Sequence, residues 1–365
     1  MSSSIDEKYM KQCFEIAKNG IGSVSPNPLV GSVIVKGDKI LSTGYHEKYG
    51  SFHAERNAIL NTEQDISGAT LYCNLEPCMH TDKQTPPCTQ LIISSNIKRV
   101  VISTVDPNPK VNGNGIKLLR EAGIEVTTNV LEKEGRELNK FFFKNTETGF
   151  PYVTLKMAVS RDWKITGEKG KQTWLTGNES KKFVHKQRSM YDAVLVGAST
   201  VNIDNPLLTV RDVSGRNPKR IILDGALTAN LKSAIFDDSS NGNIVFCLAG
   251  ADEKRKNAFK DKGVLLIELE PVRDSLFDLS EVLKKIASLK INSLFVEGGG
   301  QVYTHFIEKE LFDELFVLMA PLYLGVGVDV APTDKMDDLE LLKKTNLGED
   351  ILFHYKNKRE KCLPD

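Results

Sequence analysis

Apolar positions in the first 150 residues switch repeatedly between two periods. Tyr9, Met10, Cys13, Phe14 and Ala17 recur at helical spacing over residues 6–19. Two β-branched stretches, PNPLVGSVIV and KILSTGYH, flank Gly37-Asp38 and predict a hairpin. A helix over residues 54–60 leads into the strand ATLYCNL, and the strand KRVVIST, a helix over 115–121, the strand IEVTTNV and a charged helix over 131–143 follow. The segment NTETGFP has the polar, Gly- and Pro-containing character of a linker. The pattern predicts a first domain over residues 1–147 and a second over 150–365.

The second half opens on YVTLKMAVS and continues through YDAVLVGAS, KRIILD, NIVFCLA, GVLLIEL and SLFVEGG, with helices such as LSEVLKKIASLK between them. Strands alternating with helices predict an α/β fold with a largely parallel sheet. The tail KNKREKCLPD reads as a solvated end. Strand alternation sets Val153, Leu155, Met157 and Val159 on one face, leaving Thr154, Lys156, Ala158 and Ser160 on the other. A lysine in a central strand needs a partner or a ligand, whereas one on an edge strand can snorkel to water; alternation alone leaves both open.

Charge and composition narrow the function classes. The 365 residues carry 48 basic and 48 acidic side chains, 17 of each within residues 1–150 and so 31 of each beyond, and aromatic residues make up 7%. Neither half is a polybasic module, which argues against nucleic-acid binding. The apolar stretch over 311–324 is interrupted by Asp313, Glu314 and Pro321, and the start MSSSIDEKYM lacks a basic region followed by an apolar run. No membrane span or signal peptide is expected, and the location expected is cytoplasmic. Six cysteines are too sparse for a disulfide scaffold and suit a reducing cytosol, where thiols serve as metal ligands, as nucleophiles or as buried apolar groups.

Two of the six have ligand spacing. His53-Ala54-Glu55 precedes Pro77-Cys78, and Cys88 opens a helix behind Pro86-Pro87. One histidine and two thiolates match the three protein ligands of catalytic zinc, which leaves a fourth position for water. Glu55 is then the acid/base and not a ligand, and the helix dipole is expected to favour the thiolate of Cys88. A structural zinc clip or two unconnected buried thiols are the alternatives, and a clip would want a fourth ligand. H-x-E followed by P-C and a second cysteine is a signature of zinc deaminases acting on nucleobases, although here nine residues separate Cys78 from Cys88. Cys13, Cys73, Cys247 and Cys362 lack such company and read as buried or incidental thiols.

The motifs P-N-P-x-V-G (26–31), H-A-E (53–55), L-E-P-C-x-H (75–80), T-P-P-C (85–88) and D-P-N-P (106–109) resemble, in order, the deaminase half of the bifunctional riboflavin-biosynthesis deaminase/reductase family. This resemblance implies a cytidine-deaminase-like three-layer domain with one Zn2+, and a substrate pocket that includes Asn27, His46, His80 and Lys83. Turn formation for Asn27 and solvated loop polarity for the histidines are the plainer alternatives.

The second half continues the likeness with P-Y-x-x-L-K (151–156), Trp174-Leu175-Thr176, V-G-x-x-T-V-x-x-D-N-P-x-L-T-x-R (196–211) and V-E-G-G (296–299). It implies a dihydrofolate-reductase-like domain that binds NADPH through Ala158, Trp174, Thr200, Asp204, Gly298, Gly299 and Gly300. Substrate is implied at Gln172, Arg188, Leu208, Arg211 and Glu297, with Lys156 and Glu297 managing protons and the arginines on a ribose phosphate. Taken without the likeness, Asp204-Asn205-Pro206 is a turn and Trp174 a packing residue. In two places the chain departs from the family: Trp163 stands where S-x-D-G-K has glycine, and Gln172 stands where a serine is usual. Trp163 would crowd the cofactor site or point outward, so a deaminase with a degenerate second domain is the alternative function. The resemblance further implies a small pyrimidine ribosyl phosphate as substrate and a homo-oligomer.

Overall fold

The computed structural model describes residues 4–79, 87–237, 242–272, 277–329 and 338–358. By its internal contacts the chain divides into two compact units, Met1–Gly149 and Phe150–Asp365.

The first unit runs α1 (Ser4–Ala17), β1 (Gly31–Lys36), β2 (Lys39–Tyr45), α2 (Ala54–Leu60), β3 (Thr70–Leu75), α3 (Cys88–Ser94), β4 (Arg99–Thr104), α4 (Asn114–Glu121), β5 (Glu125–Thr127), α5 (Glu132–Leu138) and α6 (Lys140–Thr148). Its sheet has the order β2-β1-β3-β4-β5, antiparallel from β2 to β3 and parallel from β3 to β5. Period-two alternation builds three layers. Val33, Val35, Tyr72 and Val101 pack against Tyr9, Met10, Cys13 and Phe14 of α1. Their neighbours Ile34, Leu71, Cys73, Val100 and Ile102 face the other way, onto α2, α3 and α4. Gly31 is needed where α1 crosses β1, since a Cβ there would lie 2.2 Å from the carbonyl oxygen of Cys13.

The second unit runs β6 (Tyr152–Val159), β7 (Lys164–Thr166), α7 (Asn178–Met190), β8 (Ala193–Gly197), α8 (Ala198–Asp204), β9 (Lys219–Leu223), β10 (Asn243–Leu248), α9 (Glu253–Asp261), β11 (Leu265–Leu269), α10 (Leu279–Ser288), β12 (Ser293–Gly298), α11 (Gly300–Glu308), β13 (Glu314–Met319), β14 (Val328–Asp329), β15 (Leu339–Leu347) and β16 (Asp350–Asn357). Nine strands form one sheet in the order β11-β10-β9-β8-β12-β6-β13-β16-β15. It is parallel from β11 to β13, with β16 and β15 added antiparallel. Val153, Leu155, Met157 and Val159 join the core under α10 and α11. On the opposite face, Phe295 stacks on Tyr191 and Phe316 meets Phe183 of α7.

Three expectations are corrected, and the interrupted apolar run of the sequence acquires a structure. Residues 145–148 are not linker but the last turn of α6, which Gly149 ends at φ 73. The helix expected over 131–143 is two helices broken at Asn139, whose side-chain amide leaves the helical path to bond both the N–H and the C=O of Leu29. The interrupted apolar run near 311–324 contains β13, a buried strand. Of the tail, Lys356 and Asn357 belong to β16, and the buried Asn357 side chain donates to the Phe312 carbonyl; residues 359–365, Cys362 among them, lie outside the described residues.

Candidate active sites

In the first unit, three chain breaks converge. His53 occupies the N-cap position of α2, Cys78 lies just beyond the end of β3, and Cys88 begins α3. His53 Nδ1 is 3.4 Å from Cys78 Sγ and 3.5 Å from Cys88 Sγ, and all three ligand atoms lie within 4.8 Å of one another. Bonds of about 2.3 Å to sulfur and about 2.0 Å to nitrogen give a tetrahedron whose N–S edge is roughly 3.5 Å. The trio therefore fits a zinc ion with one position open. Glu55, in the first turn of α2, is buried at 3% exposure and stands outside this ligand group. Burial pushes its carboxyl up to about 7, against the opposing pull of His53.

Without a metal, the two sulfurs of the trio share one proton unequally. The Cys88 side chain and then the His53 side chain bond Cys78 and hold it down at about 4, whereas Cys88 is pushed well up, first by its bond to Cys78 and then by burial. The reason is geometric: the backbone N–H that opens α3 points at Cys78 Sγ, at 3.5 Å, and so serves the neighbouring sulfur.

Asn27 and His46 are brought together beside the trio. His46 Nδ1 is 2.9 Å from the Phe52 carbonyl, which assigns the proton to Nδ1 and leaves Nε2 to accept from Asn27 Nδ2 at 3.1 Å. Burial lowers the pKa of His46, keeping it neutral, and its ring meets that of His53 edge-on at 5.6 Å. His80 and Lys83 lie outside the described residues. Glu76 was not singled out by the sequence. Its buried carboxylate accepts from the N–H groups of Asp106, Gly113, Gly115 and Ile116, so it ties the D-P-N-P loop and the start of α4 to the residues just before Cys78. Its position inside L-E-P-C, between a strand end and a ligand, was the available signal.

In the second unit, register brings the charged groups together. Val296 pairs with Leu155, so Glu297 and Lys156 follow on the shared face, with Lys156 Nζ 3.6 Å from Glu297 Oε2. Arg188 of α7 forks onto the same carboxylate, Nε to Oε1 at 2.5 Å and Nη2 to Oε2 at 3.0 Å. Burial would raise Glu297, yet the charges of Arg188 and Lys156 hold it below its usual value. Burial lowers Lys156, with Glu297 opposing. Lys156 sits in a central strand with a partner, which settles the choice left open by alternation. Tyr303 of α11 donates from its hydroxyl to the Lys156 carbonyl at 2.5 Å.

Gly299, at φ 85, caps the nine-residue α11, and a Cβ on Gly298 would come 3.1 Å from Thr200 Oγ1. A side-chain-free turn at a helix N-terminus, with a hydroxyl alongside, suits the phosphates of a dinucleotide. Ala158 lies on the Lys156 face of β6, and Asp204 ends α8, its pKa raised by burial against Lys156. Leu208 is buried at φ 53. Arg211 is exposed, its Nη1 donating to Thr209 Oγ1 at 2.8 Å. Gln172 and Trp174 stay at the surface, Trp174 73% exposed with Lys181 Nζ 5.0 Å above its ring. Trp163 is half-buried against the main core, at φ 61, and does not point outward.

Residues 151–353 match the family described as the RibD C-terminal domain, and residues 3–104 match the cytidine and deoxycytidylate deaminase zinc-binding region. The chain belongs to the RibD family. It is 42% identical over 362 residues to the riboflavin biosynthesis protein RibD of Aquifex aeolicus, covering 98% of this chain and 99% of that one. It is also 42% identical to RibD of Bacillus amyloliquefaciens, covering 95% of each. Among solved structures, a diaminohydroxyphosphoribosylaminopyrimidine deaminase/5-amino-6-(5-phosphoribosylamino)uracil reductase from Thermotoga maritima superposes with a TM-score of 0.85 at 36% identity, covering 97% of this chain and 99% of that one. RibD of Acinetobacter baumannii gives 0.86 at 32%, with coverage of 97% and 99%. The expected fold class, the pairing of deaminase with reductase, and the zinc and NADPH requirements are those of the family. Among the described residues no helix is long and apolar enough to cross a membrane.

Proposed function

We propose that this RibD chain deaminates 2,5-diamino-6-(5-phosphoribosylamino)pyrimidin-4-one in its first unit and reduces the ribosyl group of the product to ribityl in its second. The observation that carries the reading is the His53, Cys78 and Cys88 trio with the buried Glu55 on the helix that His53 caps. His53, Cys78 and Cys88 would hold a zinc ion, which would make a water acidic enough to attack at neutral pH. Glu55 takes the proton of the attacking water and returns it to the exocyclic amine, which leaves as ammonia. Asn27, oriented by neutral His46, hydrogen-bonds the pyrimidine, and His80 and Lys83 complete the pocket.

In the second unit NADPH supplies hydride to C1' of the ribosyl group. Gly298, Gly299, Gly300, Thr200, Asp204, Ala158 and Trp174 would hold the cofactor. Lys156 and Glu297 orient the sugar and hold the proton that accompanies the hydride, and Gln172, Leu208 and Arg211 bind the remainder of the substrate. The chain acts in the cytoplasm as a homo-oligomer, and its functional domains are residues 1–147 and 150–365. A coupled assay on zinc-loaded protein tests the reading by following ammonia release and NADPH oxidation separately. Both signals are expected; ammonia without NADPH oxidation would leave a deaminase with a degenerate second domain, and neither would overturn the substrate.

A further inference from the structure

We infer that His185 is a positioning residue for the reduction: its ring nitrogen Nδ1 anchors the backbone of Arg211 and Asp212, and so sets where the Arg211 guanidinium meets the substrate. The inference rests on the reduction proposed above, in which Arg211 is a substrate contact.

Residues 205–211 form neither helix nor strand, so side chains have to fix this stretch. Arg188 Nη1 donates to the Thr209 carbonyl at 3.1 Å, and Asn217 Oδ1 accepts from the Val210 N–H at 2.7 Å. His185 Nδ1 then accepts from the Arg211 N–H at 2.9 Å, and the Asp212 N–H approaches the same nitrogen at 3.4 Å. The Arg211 side chain runs back along the loop, its Nη1 on Thr209 Oγ1 at 2.8 Å, so the direction of the guanidinium follows that of the backbone. His185 and Arg188 lie three positions apart on α7, which puts them on one face. The helix thus holds the loop at two points.

Two N–H donors on Nδ1 decide the state of the ring. A neutral imidazole accepts at one nitrogen and donates at the other, so the proton of His185 is on Nε2, 3.7 Å from Asp212 Oδ2. An imidazolium would set a second N–H against that of Arg211, and the anchor would be lost. The side chain is 7% exposed. Charged groups face it from α7 (Arg188), from β12 (Glu297) and from the loop itself (Arg211 and Asp212). Burial and then Arg188 hold the ring below the usual histidine value, Arg211 adding to this and Asp212 and Glu297 opposing it. The anchor is therefore intact at neutral pH and is released as the solution turns acid.

The test uses the full chain with NADPH and the deaminated, phosphorylated substrate. His185→Phe keeps a planar ring and removes the acceptor. His185→Asn keeps an acceptor oxygen on Cγ, the atom that carries Nδ1, and does not titrate. Losing the anchor in His185→Phe is expected to raise KM for this substrate by about 5- to 10-fold at neutral pH, with kcat changed by less than about twofold and KM for NADPH unmoved. Asparagine should bring KM back to within about twofold of the unsubstituted enzyme. On an Arg211→Ala background His185→Phe should add nothing further. From about pH 8 to about pH 5, KM of the unsubstituted enzyme should climb about threefold or more beyond that of His185→Asn; the substrate phosphate, with its second pKa of about 6, titrates alike in both. Coincident pH profiles, or a parallel loss of kcat and of both KM values in His185→Phe, would overturn the inference. A nitrogen-15 spectrum of the unsubstituted enzyme needs no folded variant. At neutral pH Nδ1 of His185 should be unprotonated and Nε2 protonated, and the reverse tautomer would refute the assignment. Absence of NADPH oxidation by the unsubstituted chain removes the reduction itself and this inference with it; oxidation with an unchanged KM in His185→Phe removes the inference alone.

Discussion

Trp163 shows how magnitudes decide a substitution at the residue scale. Its φ of 61 lies in the left-handed region that a glycine would occupy without cost, and a side chain there costs about 1–2 kcal/mol. The ring repays this by packing against the second unit's core, where losing a half-buried tryptophan costs about 2–3 kcal/mol, somewhat less than full burial would give. Glycine also adds freedom to the unfolded chain. Trp163→Gly should therefore lower stability by about 1 kcal/mol on balance, read by chemical denaturation, with NADPH oxidation retained. Glu55→Gln keeps the shape of the side chain but cannot shuttle a proton; ammonia release should fall by about 10²–10⁴-fold while bound zinc, read by metal analysis, stays at one equivalent. Unchanged ammonia release with zinc retained would remove Glu55 from the proton transfer.

At the scale of elements, helix ends carry the sites, and distant carboxylates hold two of those ends. Glu76 receives four backbone donors around the start of α4. Glu76→Ala should cost about 3 kcal/mol or more by stranding buried N–H groups, and should loosen zinc in a chelator competition because Cys78 is two residues away. Asp350 does the corresponding work for α7, accepting from Gly177 N–H at 2.8 Å and the Ser180 hydroxyl at 2.6 Å. Asp350→Ala is expected to cost about 1–2 kcal/mol and to slow NADPH oxidation more than ammonia release. These long-range caps explain what was legible in the sequence and what was not. Periodicity exposed β1 to β6 and β8 to β12, because their apolar, β-branched runs are local signals. It missed the break at Asn139, which is made by an amide reaching 110 positions back to Leu29. It also missed β13 and the β15–β16 hairpin, since β15 is largely exposed and reads as polar chain. The zinc trio was legible because its spacing is chemical; the fork of Arg188 on Glu297 was not, because 109 positions separate the two and only the fold joins them.

For the molecule as a whole, two chemistries occupy two separately packed units. The zinc ligands all belong to the first unit and the Lys156 cluster to the second. Stripping the metal with a chelator should abolish ammonia release while leaving NADPH oxidation on the deaminated substrate unchanged; parallel loss of both would show that the reductase depends on the metal as well.

The cap that Asp350 places on α7 also orders events in time. The helix carrying Arg188 is complete by Met190, yet its first turn is satisfied by a residue encoded 160 positions later. Synthesis at about 5–20 residues per second needs roughly 10–40 s to add everything after Gly149. Through that interval the nascent first unit already holds every ligand it needs to capture zinc, while the reductase site waits for β16, the last strand among the described residues, to emerge. A ribosome stalled short of β16 would thus carry a chain equipped to deaminate and not yet equipped to reduce.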